Sequence, residues 1–202
     1  ASSTVEVTAR DLPKPSATPS WEMVAALAAG SRSIAPADPV HGLFPSRLVP
    51  LVAEATAYAE KSFPAGRRIL EGAIELNRRI RTDFAYDPTA TDVTTPVARV
   101  FATRRGVCQD FAHAMIAGLR GLGLAARYVG GYLRTEPPPG SPRLEGADAT
   151  HAWVEVWCGP GTGWVGLDPT NAIPAGDSHV VLAVGRDYAD VSPVDGVGLA
   201  SG

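Results

Sequence analysis

The feature that most constrains this chain is a pair of segments joined by glycines. His151-Ala-Trp-Val-Glu-Val-Trp157 runs into Cys158-Gly-Pro-Gly-Thr-Gly163 and then into Trp164-Val-Gly-Leu-Asp168. The first segment alternates as a strand does, with Ala152, Val154 and Val156 on one face and His151, Trp153, Glu155 and Trp157 on the other. The glycine-rich break lets the chain turn back as a second strand. If Trp157 lies opposite Trp164, then Val156 meets Val165 and Val154 meets Leu167, and one face stays wholly apolar, which is how register is specified. Trp153 then lies opposite Asp168. This makes Asp168 a diagonal neighbour of His151 on the same face, about 7–8 Å away at the backbone and within reach of a His–Asp pair. A slip of one residue sends Asp168 to the opposite face.

Ahead of this hairpin the apolar spacing is helical. Short helices are expected at Trp21–Ala29 and from Pro96, a favourable first-turn residue. Longer ones are expected over Ser46–Lys61, through Leu48, Leu51, Val52, Ala55 and Tyr58, and through Ile69, Leu70, Ala73, Ile74, Leu76 and Ile80 up to Asp87-Pro88. A further stripe of Phe111, Ala112, Met115, Ile116 and Leu119 opens at Cys108 and ends at Gly121 and Gly123. Ala125–Leu133 and His179–Val184 have strand character. Helices first and antiparallel strands later define an α+β domain. Residues 1–20 form an extended lead-in: Thr4–Thr8 alternates as a strand, and Pro13, Pro15 and Pro19 favour a linker. A lone strand needs a partner, so this lead-in is expected to be the end of, or linker from, an N-terminal β domain, with 21–202 as the core.

The bulk numbers narrow the function classes. At 202 residues the chain suffices for one sizeable core, and its net charge of −3 gives no general attraction to nucleic acid. No apolar run is long enough to cross a bilayer. Two cysteines make no disulfide framework, which points to a cytoplasmic setting. Four scattered histidines offer no zinc spacing, and neither metal nor cofactor is expected.

Cys108 sits where a helix opens. There, free N–H groups and the helix dipole favour a thiolate, the reactive form of cysteine. Alone, such a cysteine is more often a small core residue. His151 alone fits an exposed strand end, and Asp168 alone fits the turn chemistry of Asp168-Pro-Thr-Asn171. Together they form a nucleophile, a base and a residue that orients the base.

Four segments in order carry a resemblance: Gly106-Val-Cys-Gln-Asp-Phe-Ala-His113, Ala126-Arg-Tyr-Val-Gly-Gly-Tyr132, His151-Ala-Trp-Val-Glu-Val156 and Asp168-Pro-Thr-Asn171, followed by Gly185-Arg-Asp-Tyr-Ala-Asp190. This pattern, from roughly Phe84 to Asp190, resembles the bacterial branch of the transglutaminase-like superfamily. The resemblance implies a papain-like α+β fold, with a nucleophile helix packed on an antiparallel sheet. It gives Cys108, His151 and Asp168 the roles of catalytic triad. It also implies that a small β-rich domain often precedes the core. Pro193-Val-Asp-Gly196 departs from the pattern, with Asp where a basic residue is expected.

The same triad serves amide hydrolysis and acyl transfer to an amine, both through a thioester. The reading favoured is a thiol hydrolase acting on a peptide or protein amide. Transglutaminase-type transfer is the enzyme alternative, and a papain-like binding or scaffolding module is the alternative of another class. The oxyanion hole is expected to include the Cys108 backbone N–H. Animal transglutaminases use an upstream Trp; this chain has none between Trp21 and Cys108, and Tyr86 is the candidate in its place. Gln109, Tyr132 and Trp153 are candidates to line the cleft, and Arg134–Thr150 to cover the substrate. Asp110 is assigned a structural role in the first helical turn. His113, about 140° around the helix from Cys108, is not expected to be the base. Cys158 is expected to be a spectator.

Overall fold

The computed structural model describes residues 4–8, 11–136, 139–140, 143–147 and 150–192. Three helices come first: α1 (Trp21–Gly30), α2 (Ala53–Glu60) and α3 (Ile69–Asp83). A two-residue strand β1 (Ala85–Tyr86), helix α4 (Val97–Thr103) and a two-residue strand β2 (Arg105–Gly106) lead into α5 (Cys108–Gly121). Five strands follow, β3 (Ala126–Leu133), β4 (Thr150–Trp157), β5 (Trp164–Asp168), β6 (Ile173–Pro174) and β7 (His179–Gly185), and the one-turn helix α6 (Tyr188–Val191) closes the described chain.

The five strands form one antiparallel sheet in the order β6-β5-β4-β3-β7. The register across the glycine turn pairs Trp157 with Trp164, Val156 with Val165 and Val154 with Leu167, as the apolar face required. That face packs on α5, whose residues Phe111–Arg120 are all buried, and joins α2, α3 and α4 in one core. With helix and sheet in this arrangement, the chain has the α+β, papain-like architecture that the sequence implied.

The sheet is curled. β6 and β7 are its two edges, yet the link between Pro174 and His179 advances by only five residues. Five residues reach at most about 18 Å, while four strand spacings in a flat sheet span about 19 Å. Curling brings His179, at the start of one edge strand, to the end of β5. Trp153, fully buried but outside the apolar core, lies beside His179 on the face away from α5, with ring centroids 5.1 Å apart.

A buried arginine ties the ends of the fold together. Arg120 donates to Gly42 O (3.0 Å), Ser46 Oγ (3.1 Å), Ala126 O (3.0 Å) and Arg186 O (2.7 Å). Asp187 accepts from the Leu48 N–H (2.7 Å) and the Ala189 N–H (2.8 Å) beside it. The 185–190 segment picked out by its sequence thus belongs to this polar knot.

Among the described residues Thr4–Thr8 pairs with no strand and is exposed apart from half-buried Val7. One expectation fails. The helix expected from Ser46 begins only at Ala53. Pro50 removes an N–H and drives Val49 to extended backbone, and Ser46 and Val49 instead exchange backbone hydrogen bonds in a tight loop. The lead-in itself is tied to α3, through a Ser20–Arg68 bridge and an Ile69 N–H to Pro19 O bond (2.9 Å). No helix among the described residues is long and apolar enough to cross a membrane. The departure at Pro193–Gly196 lies outside the described residues.

Candidate active site

Cys108 is the first residue of α5, and its neighbours fix that start. Val107 stands at the N-cap in extended backbone, and its N–H donates to Asp110 Oδ2 (2.8 Å), three residues on. The Thr91 hydroxyl donates to the same oxygen (2.6 Å). Burial raises the Asp110 carboxyl above its ordinary range, and these two hydrogen bonds offset only part of that rise. Gly106 permits the arrangement, because a Cβ there would lie 2.6 Å from Asp110 Oδ2. Asp110 is therefore a capping residue. The first N–H groups of a helix have no intrahelical partner, which leaves the Cys108 N–H available to an anion.

His151 and Asp168 are both buried and joined by a hydrogen bond, Nε2 to Oδ2, at 3.0 Å. With Nε2 committed to Asp168, Nδ1 is the nitrogen left for the thiol. Nδ1 is buried and completes no hydrogen bond of good geometry, yet the Cys108 sulfur is near enough to stabilise the protonated ring. A loose thiol–imidazole contact is common in a free enzyme. Burial pushes His151 toward its neutral form. Asp168 and Cys108 together outweigh this and hold its pKa at about 9.

Asp168 is the most heavily bonded group of the site. Its burial opposes ionisation, but the donors around it hold its carboxyl well below the usual range. Oδ2 accepts from His151, from His179 Nε2 (3.3 Å) and from Asn171 Nδ2 (2.8 Å). Oδ1 accepts from the Thr170 N–H (2.9 Å) and the Asn171 N–H (3.2 Å). His179 Nδ1 accepts from the Gly176 N–H (3.2 Å). That bond orients the ring so that Nε2 faces Asp168.

The sequence marks neither His179 nor Asn171 as a site residue. His179 reads as a strand start, and no alternation pattern announces that a sheet curls far enough to bring its edge to Asp168. Asn171 reads as a turn residue, which it is. Its side chain also binds Glu145 of the long loop, a contact between residues 26 apart.

The remaining candidates are distributed as follows. Tyr86 is half-buried, and burial is the main cause that raises its hydroxyl above the ordinary phenol value; it stands on the strand next to the residues that lead into Cys108. The parallel pairing of β1 with β2, Tyr86 against Gly106, puts it there. Gln109 is turned away, donating to Val93 O (3.0 Å) and pinning the loop before α4. Tyr132 is 47% exposed on β3. Trp153 is 1% exposed and stacks against His151, with centroids 6.3 Å apart, so it packs behind the imidazole. The two arginines shortly before Cys108 in sequence are engaged elsewhere: Arg104 lies over the rings of Tyr58, Phe84 and Phe101, and Arg105 pairs with Asp87. His113 is buried, with a pKa lowered to about 4 by that burial, and accepts from the Tyr188 N–H. Cys158 is buried and its thiol is pushed up to about 12.

A family model for the transglutaminase-like superfamily matches residues 56–169. An uncharacterized protein of Mycobacterium tuberculosis is 50% identical over 143 residues, 69% of this chain and 46% of that protein. A protein-glutamine gamma-glutamyltransferase of Pseudomonas aeruginosa is 41% identical over 98 residues, 47% of this chain and 14% of that enzyme. Among solved structures, a proposed cysteine protease from Cytophaga hutchinsonii superposes with a TM-score of 0.63 at 30% identity, covering 77% of this chain and 49% of that one. The periplasmic domain of TgpA from Pseudomonas aeruginosa gives 0.51 at 34% identity, over 69% of this chain and 49% of that one. The chain thus spans about half the length of the mycobacterial relative and of both these structures. With more than half of its residues matched by the family model, and with the nucleophile helix packed on the antiparallel sheet, this chain belongs to the transglutaminase-like superfamily.

Proposed function

We propose that the chain is a cysteine-dependent hydrolase of peptide or isopeptide amides, with Cys108 as nucleophile, His151 as acid and base and Asp168 as the residue that orients His151. The observation that carries this reading is the buried His151–Asp168 hydrogen bond of 3.0 Å beside the thiol at the start of α5. An imidazolium and a helix N-terminus both favour a thiolate next to them. Cys108 Sγ attacks the amide carbonyl, and the negative charge on oxygen is met by the Cys108 N–H, with the Tyr86 hydroxyl as second donor. Collapse breaks the C–N bond as His151 gives its proton to the leaving nitrogen. Water then loses a proton to His151 and attacks the thioester, releasing the acid and restoring the thiol.

A second reading replaces that water by an amine. It is favoured by the 41% identity to a protein-glutamine gamma-glutamyltransferase. Ammonia release with incorporation of a primary amine into a glutaminyl peptide selects transfer, while release of the free acid without incorporation selects hydrolysis. The compartment proposed from two unpaired thiols is the cytoplasm, and cell fractionation tests it. For the site itself, a small thiol-directed electrophile is expected to label Cys108 and spare the buried Cys158, and His151→Ala is expected to slow the labelling of Cys108 at least tenfold. A Cys108 labelling rate unchanged by His151→Ala would sink the reading.

A further inference from the structure

The long loop before β4 returns to the site as the turn Glu145-Gly146-Ala147, and Asn171 holds it there. The Asn171 Oδ1 accepts from the Glu145 N–H (2.9 Å), and Nδ2 donates to Glu145 O (3.2 Å). The same Nδ2 donates to Asp168 Oδ2 (2.8 Å). An amide nitrogen has two protons and an amide oxygen takes a backbone donor, so this carboxamide is fully used. Its orientation is not free: a flipped amide would aim its oxygen at the Asp168 carboxylate and at Glu145 O together. From its other side the Glu145 carboxylate meets Arg81 of α3 at 3.2 Å.

The turn held in this way abuts the imidazole. Gly146 has φ +86°, and a Cβ built on it would lie 2.6 Å from His151 Nδ1. Nδ1 is the nitrogen left to exchange a proton with the thiol. One side chain therefore touches both the Asp168 carboxylate and the turn that lies over His151.

We propose that Asn171 is a positioning residue that couples the Glu145–Ala147 turn to Asp168, so that seating the turn over His151 and orienting Asp168 are a single event. This rests on the roles given above to Cys108, His151 and Asp168. A substrate that rearranges the turn thereby acts on the hydrogen bond that sets the orientation of His151, and the loop reports occupancy to Asp168 through one amide plane.

The test needs no substrate. The second-order rate of Cys108 alkylation by iodoacetamide is measured at pH 7, with Cys158 as the unreactive internal control, in the wild type, Asn171→Ala, Asp168→Asn and the double variant. A hydrogen bond to a charged group corresponds to roughly a ten- to hundredfold change in rate. Asn171→Ala is expected to slow alkylation by that factor in the wild-type background and by less than about twofold in Asp168→Asn, the non-additivity of groups that act through one another. Gly146→Ala, which lifts the turn without touching Asp168, is expected to slow alkylation alone but not further in Asn171→Ala. Thermal melting checks that each variant is folded. Equal slowing by Asn171→Ala in both backgrounds, no slowing at all, or multiplying effects of Asn171→Ala and Gly146→Ala would each overturn the coupling. If Asp168→Asn itself leaves the rate unchanged, the functional reading fails first and the coupling with it.

Discussion

At His151 two effects of opposite sign meet, and their balance fixes a pH dependence. Burial favours the neutral ring, while Asp168 and the thiol favour the cation strongly enough to set the pKa at about 9. The proton needed by the leaving amine is therefore present below about pH 9 and lost above it. For amide cleavage, kcat/KM is expected to fall about tenfold per pH unit on the alkaline side of that value. Asp168→Asn removes one of the two groups that raise His151, so the alkaline limb should move down, toward the ordinary imidazole value of about 6.5. A pH–rate profile of the two proteins measures this, and an unmoved limb would mean that another group controls it. The His151–Asp168 pair is legible because alternation and register are local rules, whereas Cys108 is legible only as a cysteine at a helix start, and the family resemblance is what joins it to the pair. Asn171 and His179 are not legible, because each meets Asp168 through a tertiary contact that no local period encodes.

At the scale of elements, the start of α5 is the part that the site depends on most. Asp110 accepts from Val107 N–H and Thr91, and Asp110→Ala leaves both without that acceptor. Losing the acceptor of two half-buried donors costs about 1 kcal/mol, so urea unfolding should show a loss of that order, with slower labelling of Cys108 as the helix start loosens. Gly106→Ala should act in the same direction by displacing the Asp110 carboxylate. Most elements were legible at this scale. The β4–β5 register followed from keeping one face apolar. The false start of α2 came from following apolar spacing through Pro50, where backbone chemistry overrides periodicity. The paired strands β1 and β2, two residues each, carry no period at all. They exist because the Ala85 N–H finds Arg104 O (2.8 Å) and the Asp87 N–H finds Gly106 O (2.9 Å).

For the whole molecule, Arg120 is the tie between the segment before α2, the start of β3 and the chain after β7. Burial lowers its pKa to about 10, with Asp187 opposing that drop, so it stays charged at neutral pH. Arg120→Ala strands four acceptors and the Asp187 carboxylate, and about 3–5 kcal/mol of stability should be lost. Arg120→Met, which refills the volume, should cost less, and chemical denaturation compares them.

The curled sheet has a consequence in time. α5, β3 and β4 follow one another along the chain, but the Asp168 side of the site is complete only when β7 has come round to pair with β3, bringing His179 from the far edge. Contacts between residues distant in sequence form late, because loop closure must precede them. During refolding from urea, the helical far-ultraviolet signal should therefore recover before Cys108 regains its fast reaction with iodoacetamide. Simultaneous recovery would mean that the thiol gains its reactivity without waiting for the sheet to close. A chain caught in that interval would be compact, helical and chemically quiet.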